Sequence, residues 1–237
     1  MKVSLKWLQK YLNTKDVIDP QELGWRLTMS TVEVDKIFPL GATLNQVIVG
    51  QIKEIVAHPD ADLLRVCQVD IGQVNRVTIV CGGTNLRENM FVAVALPGAF
   101  VRWHGNGEPV QLAETKIRGI SSFGMICASV EIGLAELWPA TSEKEIMDLG
   151  NDNQIPGTPL TIALDLEDTI YEIDNKSITN RPDLWSHYGL AREVSAIYQY
   201  PLIEYLPASI KDGSGSSLKV QVSDSQLCPR YQAVVLS

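Results

Sequence analysis

Between residues 47 and 128 the chain breaks into short β-branched runs separated by Gly, Pro, Asn and Asp, and no other stretch restricts its fold as strongly. Five runs stand out, at 47–56, 64–71, 77–81, 91–96 and 124–128. Each has strand length and composition, and each is bounded by residues that favour turns. Five such strands suit a small closed barrel. Two glycine-punctuated blocks, His58 to Gly72 and Lys116 to Cys127, belong to this region, and Gly98 to Pro109 reads as a loop or hairpin tip. It is not a phosphate cradle, because neither G-x-G-x-x-G nor G-x-x-x-x-G-K-[ST] is present.

The flanking segments have a different texture. Ser4 is placed to cap a helix carrying Leu5, Leu8 and Leu12 at spacings of three and four, ending near Asn13. Asp19-Pro20-Gln21-Glu22 opens a second helix, with Asp19 as cap, Pro20 in the first turn and Glu22 able to reach back. Residues 32–37 then alternate apolar with polar, as a strand does. Further on, 169–174 reads as a strand with Glu172 and Asp174 on one face and Tyr171 and Ile173 on the other. Asp183 is placed to cap a helix over 184–198, closed by Pro201. Residues 208–217 read as a linker, and 218–222 as the first strand of something further, so the chain reads as cut at the threshold of another domain.

The 237 residues carry 28 acidic and 20 basic side chains, for a net charge of -8. That is the wrong sign for a protein whose whole surface attracts polyanions. Residues 40–150 hold 8 basic and 12 acidic groups, so the barrel region is itself acidic, and any RNA site there must be a local patch. Cys67, Cys81, Cys127 and Cys228 show no C-x-x-C spacing, and three lie in apolar runs. They read as reduced core thiols of a cytoplasmic protein rather than a zinc site. No run approaches a membrane span.

Three blocks in order carry a resemblance: the opening Met1 to Leu8, the barrel region with Ile79-Val80-Cys81-Gly82-Gly83-Thr84-Asn85 between its two glycine blocks, and Asn180-Arg181-Pro182-Asp183-Leu184-Trp185. Together they resemble the N-terminal region of the bacterial phenylalanyl-tRNA synthetase beta subunit, including its inserted tRNA-binding OB domain. Leu227-Cys228-Pro229-Arg230-Tyr231 is similar to the start of the editing domain that follows in that family. Thr31, in place of the family's usual Gly, and Gly83-Thr84, in place of Ala-Pro, depart from the pattern and imply altered turns. The resemblance implies an α+β fold: a discontinuous small α+β domain, residues 1–39 and 152–200, interrupted by a five-stranded OB barrel at 40–151. Residues 201–237 are then a linker and the first strand of a truncated editing domain.

The same resemblance implies RNA-binding residues Asn85, Lys116, Arg118, Ser122 and Met125. Lys116 and Arg118, two apart on a strand, would present both charges to one side. Ser122 would offer a hydroxyl and Met125 a flexible apolar contact. The alternative for these residues is a solvated strand edge and a core methionine. His58-Pro59-Asp60-Ala61-Asp62 reads as a turn whose aspartates accept backbone N–H groups. His187 reads as packing or surface, and Arg181 with Asp183 as an anchor for the turn, with contact to a neighbouring domain as the alternative. No motif supports a catalytic residue or a metal site in this chain. ATP and magnesium are implied only for a complete enzyme, with tRNA and an alpha subunit as partners in a heterotetramer of two alpha and two beta chains, and no membrane. The rival readings are a stand-alone, non-enzymatic tRNA-binding OB module and a scaffold without RNA affinity.

Overall fold

A computed structural model describes residues 1–142, 144–150, 153–207 and 218–233. They fall into two compact units, Met1–Ile203 and Glu204–Ser237. The expected linker at 208–217 lies outside the described residues.

The first unit mixes helices with sheets. A three-stranded antiparallel sheet joins β1 (Lys2–Ser4), β12 (Asp168–Ile173) and β2 (Val34–Leu40), with β12 in the centre. The alternation read from the sequence holds: Tyr171 and Ile173 are buried, and Glu172 faces Lys36 at 3.5 Å on the exposed side. Three helices accompany it: α1 (Leu5–Gln9), α2 (Pro20–Ser30) and α4 (His187–Tyr198). Leu8, Leu23, Leu27, Tyr171, Leu190 and Val194 belong to one apolar core drawn from both ends of the unit. Each buried side chain of this size contributes roughly 1.5–3 kcal/mol of transfer free energy.

Helix ends show where local chemistry decided the outcome. Ser4 caps α1 through its Oγ, which accepts the Trp7 N–H at 2.9 Å, and Asp19 caps α2 by accepting the Glu22 N–H at 2.7 Å. Helix α1 stops at Gln9, short of the expected Asn13, and tight i→i+3 bonds carry the chain on to Leu12. The Glu22 carboxylate takes the Arg26 guanidinium instead of reaching back to the cap. Asp183 does not cap α4. Its carboxylate receives two bonds from Arg181, at 3.0 and 2.9 Å, and Ser186 caps the helix by accepting the Gly189 N–H at 3.0 Å. Arg181 also reaches Glu193 at 2.7 Å, so this pair anchors the turn to α4.

The second sheet has five strands in the order β11 (Met125–Ile126), β6 (Phe91–Ala95), β3 (Val47–His58), β4 (Ala61–Asp70), β5 (Val77–Cys81), all antiparallel. The ladders leave β5 and β11 as its edges. One segment runs between those edges. The hairpin of β9 (Thr115–Ile117) and β10 (Ile120–Ser122) delivers Phe123 to β5, where its N–H donates to the Thr78 carbonyl at 2.8 Å, and two residues later the same segment pairs with β6 as β11. Gly124 turns the chain between the two, at φ +85, and a Cβ there would lie 2.4 Å from the Ala95 oxygen. Only glycine fits so close to a neighbouring backbone. A second hairpin, β7 (Phe100–Val101) with β8 (Val110–Gln111), projects from this region, as the Gly98–Pro109 reading anticipates. The sheet's apolar residues form two further cores, around Val47, Val49 and Ala95 and around Ile52, Val69 and Val94. A one-turn helix, α3 (Leu160–Ala163), leads back to β12.

In the second unit, the Asp224 carboxylate accepts the N–H groups of Gln226 at 2.9 Å and Leu227 at 3.1 Å. Residues 218–222 form no strand, contrary to expectation. A strand needs a neighbour to pair its N–H and C=O groups, and the described residues of this unit offer none.

Candidate nucleic-acid interface

A groove of about 850 Å³ opens on the five-stranded sheet. It is lined by the start of β4, the end of β5, β11, the β7–β8 and β9–β10 hairpins and residues 144–146. Leu63, Trp103 and Val110 line it while remaining 78%, 51% and 43% exposed, so its surface is largely apolar and open to water. Apolar ring and aliphatic surface with a few polar groups is the character of sites that hold planar ligands.

Of the five residues expected at an RNA face, Arg118 and Met125 line the groove. Arg118 is not on a strand with Lys116. With Gly119 it forms the two-residue turn between β9 and β10, at φ +45 and +91, the left-handed pair that a type I′ hairpin requires. Its Nη1 donates to the Asp60 carbonyl at 3.0 Å, tying this turn to the 59–60 loop. Thr115 and Ile117 line the groove, so Lys116 between them points away and stays exposed.

Asn85 and Ser122 sit one step behind the surface. The Asn85 amide donates to the Ile146 carbonyl and accepts the Ile146 N–H, both at 3.0 Å, which fixes a lining residue from a distant loop. Ser122 is buried, and its Oγ accepts the Val80 N–H at 3.0 Å and donates to the Gly124 carbonyl at 3.1 Å. His58 is also buried: Nδ1 accepts the Asp60 N–H at 3.1 Å and Nε2 lies 3.2 Å from the Ile117 carbonyl. The ring, not the aspartate carboxylates, therefore organises that turn. Nδ1 is the bare nitrogen and Nε2 carries the proton.

Trp103 and His104 were missed by the sequence reading, which took their loop as a bare tip. Two aromatic rings inside a glycine-bearing loop were the available signal, because loops on a rigid scaffold carry binding residues disproportionately. His104 stands at φ +52, a strained value for a side-chain-bearing residue. The loop is held at its base, where the Arg102 N–H donates to the Glu131 carbonyl at 2.9 Å.

The charges in the groove are mixed. Arg118 and Lys144 line it together with Asp62, Glu131 and Glu145. Burial pushes the Glu131 carboxyl above its ordinary range, against the pull of the Ala128 N–H it accepts at 2.8 Å. The Thr141 hydroxyl and N–H hold the Glu145 carboxyl below its ordinary range. Burial likewise lifts the Cys67 thiol to about 12 and raises the Cys81 and Cys127 thiols, so these are inert packing groups at neutral pH. Among the described residues no group of three or more His, Cys, Asp or Glu is placed to hold a metal ion, and no helix is long and apolar enough to cross a membrane.

A larger cavity of about 1070 Å³ is lined by Trp7, Phe38, Phe100 and His187 and carries none of the expected RNA-binding residues.

The family model described as "Putative tRNA binding domain" matches residues 47–155, which contain every residue of the 850 Å³ groove. The phenylalanine–tRNA ligase beta subunit of Legionella pneumophila (strain Lens) is 39% identical over 98% of this chain and 27% of its own length. The beta subunit of Francisella tularensis subsp. tularensis is 39% identical over 100% of this chain and 28% of its own. The crystal structure of a CsaA chaperone protein from Picrophilus torridus aligns with 47% of this chain and 86% of its own, with 14% identity and a TM-score of 0.32. The chain thus spans little more than a quarter of the curated relatives it matches. Over nearly its whole length it is similar to the N-terminal part of phenylalanine–tRNA ligase beta subunits, with a tRNA-binding domain match inside that likeness.

Proposed function

We propose that this chain is the N-terminal portion of a phenylalanine–tRNA ligase beta subunit and serves ATP-dependent attachment of phenylalanine to its tRNA by binding tRNA and contacting other subunits. The carrying observation is likeness to such subunits over 98 to 100% of the chain, joined to an open, aromatic-lined groove inside the matched tRNA-binding region. In this reading residues 40–151 are a closed OB barrel inserted into a discontinuous α+β domain of residues 1–39 and 152–200. The Phe123 bond to Thr78 supports closure, and the core shared by Leu8, Leu23, Tyr171 and Leu190 supports the discontinuous domain. Residues 201–237 lead toward an editing domain.

Arg118 and Met125 are the groove's contacts with RNA, Asn85 and Ser122 shape it, and Lys116 acts only on RNA that wraps beyond the groove. ATP and magnesium belong to the complete enzyme. The partners are an alpha subunit and tRNA in a cytoplasmic heterotetramer of two alpha and two beta chains.

The test is to purify the protein from its own source and weigh the native assembly. Recovery in a tetramer with a catalytic alpha chain supports the reading, and the 237-residue chain alone should not charge tRNA. A free 26.2 kDa species that binds tRNA refutes it in favour of a stand-alone OB module.

A further inference from the structure

We propose that Trp103 is a base-stacking platform and that the groove recognises an unpaired nucleotide, held through its base more than through its phosphates. This rests on the RNA-facing reading above and specifies how the groove would work.

The indole is half exposed on the groove wall, yet its backbone is fixed. The Gly105 N–H donates to the Arg102 carbonyl at 3.0 Å, the Asn106 N–H to the Trp103 carbonyl at 3.1 Å, and Arg102 is tied to Glu131. A large flat ring on an anchored turn has lost little freedom to gain by staying in water, and it presents a preorganised face.

The charges decide which part of a nucleic acid such a groove can hold. Two cations, Arg118 and Lys144, stand against three carboxylates, Asp62, Glu131 and Glu145, and the Arg118 guanidinium already serves the Asp60 carbonyl. A site that followed a phosphate backbone would need an excess of cations, and this one has a deficit. Stacking needs none, because every base has a π-face. In an A-form duplex those faces are covered by neighbouring bases, so the ring can reach only unpaired nucleotides. The volume, about 850 Å³, lies near the upper end for a drug-sized ligand and suits one or two nucleotides rather than a helix. With at most two phosphates neutralised in the groove, log K should fall by no more than about 1.4 per decade of salt.

The experiment measures binding of the 237-residue chain to a short unstructured RNA strand and to a blunt duplex of the same sequence, at several salt concentrations, with Trp103→Ala and Trp103→Phe alongside. We expect the strand to bind better than the duplex, a shallow salt slope, a loss on the order of tenfold for Trp103→Ala, and near-complete retention for Trp103→Phe. If the strand binds but Trp103→Ala leaves affinity unchanged, or if the duplex binds equally well with a steep slope, the stacking proposal is overturned while the RNA-facing reading stands. If the unaltered chain binds neither RNA, both fail.

Discussion

The Ser122 hydroxyl accepts the Val80 N–H at 3.0 Å across 42 positions of sequence, standing where a backbone carbonyl would stand in a continuous ladder. It joins the hairpin to β5, one residue before Phe123 makes its own backbone bond to Thr78. A residue expected to touch RNA is thus spent on the sheet edge that supports the groove.

Ser122→Ala should therefore act on stability. It strands the buried Val80 N–H and removes the donor to Gly124, a loss of about 1–3 kcal/mol. Urea denaturation followed by circular dichroism would read it as a lower midpoint at unchanged slope. An unchanged midpoint together with weakened RNA binding would instead make Ser122 a contact residue.

Lys116 and Arg118 should separate in binding. Arg118 lines the groove and Lys116 faces away from it, so Arg118→Ala should weaken binding of a short RNA strand several-fold, while Lys116→Ala should change it less than twofold. Equal losses from both would mean that the RNA path lies along the outer face of β9. Because Arg118 also ties the hairpin turn to Asp60, the stability of that variant should be measured in parallel.

His187 should make the fold sensitive to mild acid. Its Nε2 accepts the Ser4 N–H at 3.1 Å and its ring stacks on Trp7 at 4.1 Å, and both the bond and partial burial favour the neutral form. Desolvation by burial lowers its pKa, with the nearby Asp168 carboxylate opposing the shift. The unfolded chain then takes up a proton near the ordinary value of about 6.5, while the folded chain holds out to lower pH. Its contribution is complete above that value and is lost as pH falls through and below it. Thermal melts between neutral and mildly acidic pH should show the decline, and His187→Gln, which keeps an acceptor that does not titrate, should flatten it. A variant with the same slope as the unaltered chain would assign the decline to carboxylates.

Much of this protein is written in interactions between near neighbours. Ser4 and Asp19 cap their helices because a side-chain oxygen needs only the N–H three residues on. Tyr171 and Ile173 turn inward because alternation along a strand is a local property, and the turn-bounded runs of 47–128 became the five-stranded sheet for the same reason. What the sequence left open depends on partners far along the chain. Asp183 sits as well as Ser186 to cap a helix, and the competition was settled by Arg181 and Glu193. β1 is only three residues long and exists because Val3 meets Tyr171. Arg118 left its strand because the hairpin register made it a turn residue, and Trp103 came to line the groove because the fold brings its hairpin to the same opening as β11 and β5. Local rules choose the elements; only the tertiary structure brings distant surfaces together, and the groove is made of such surfaces.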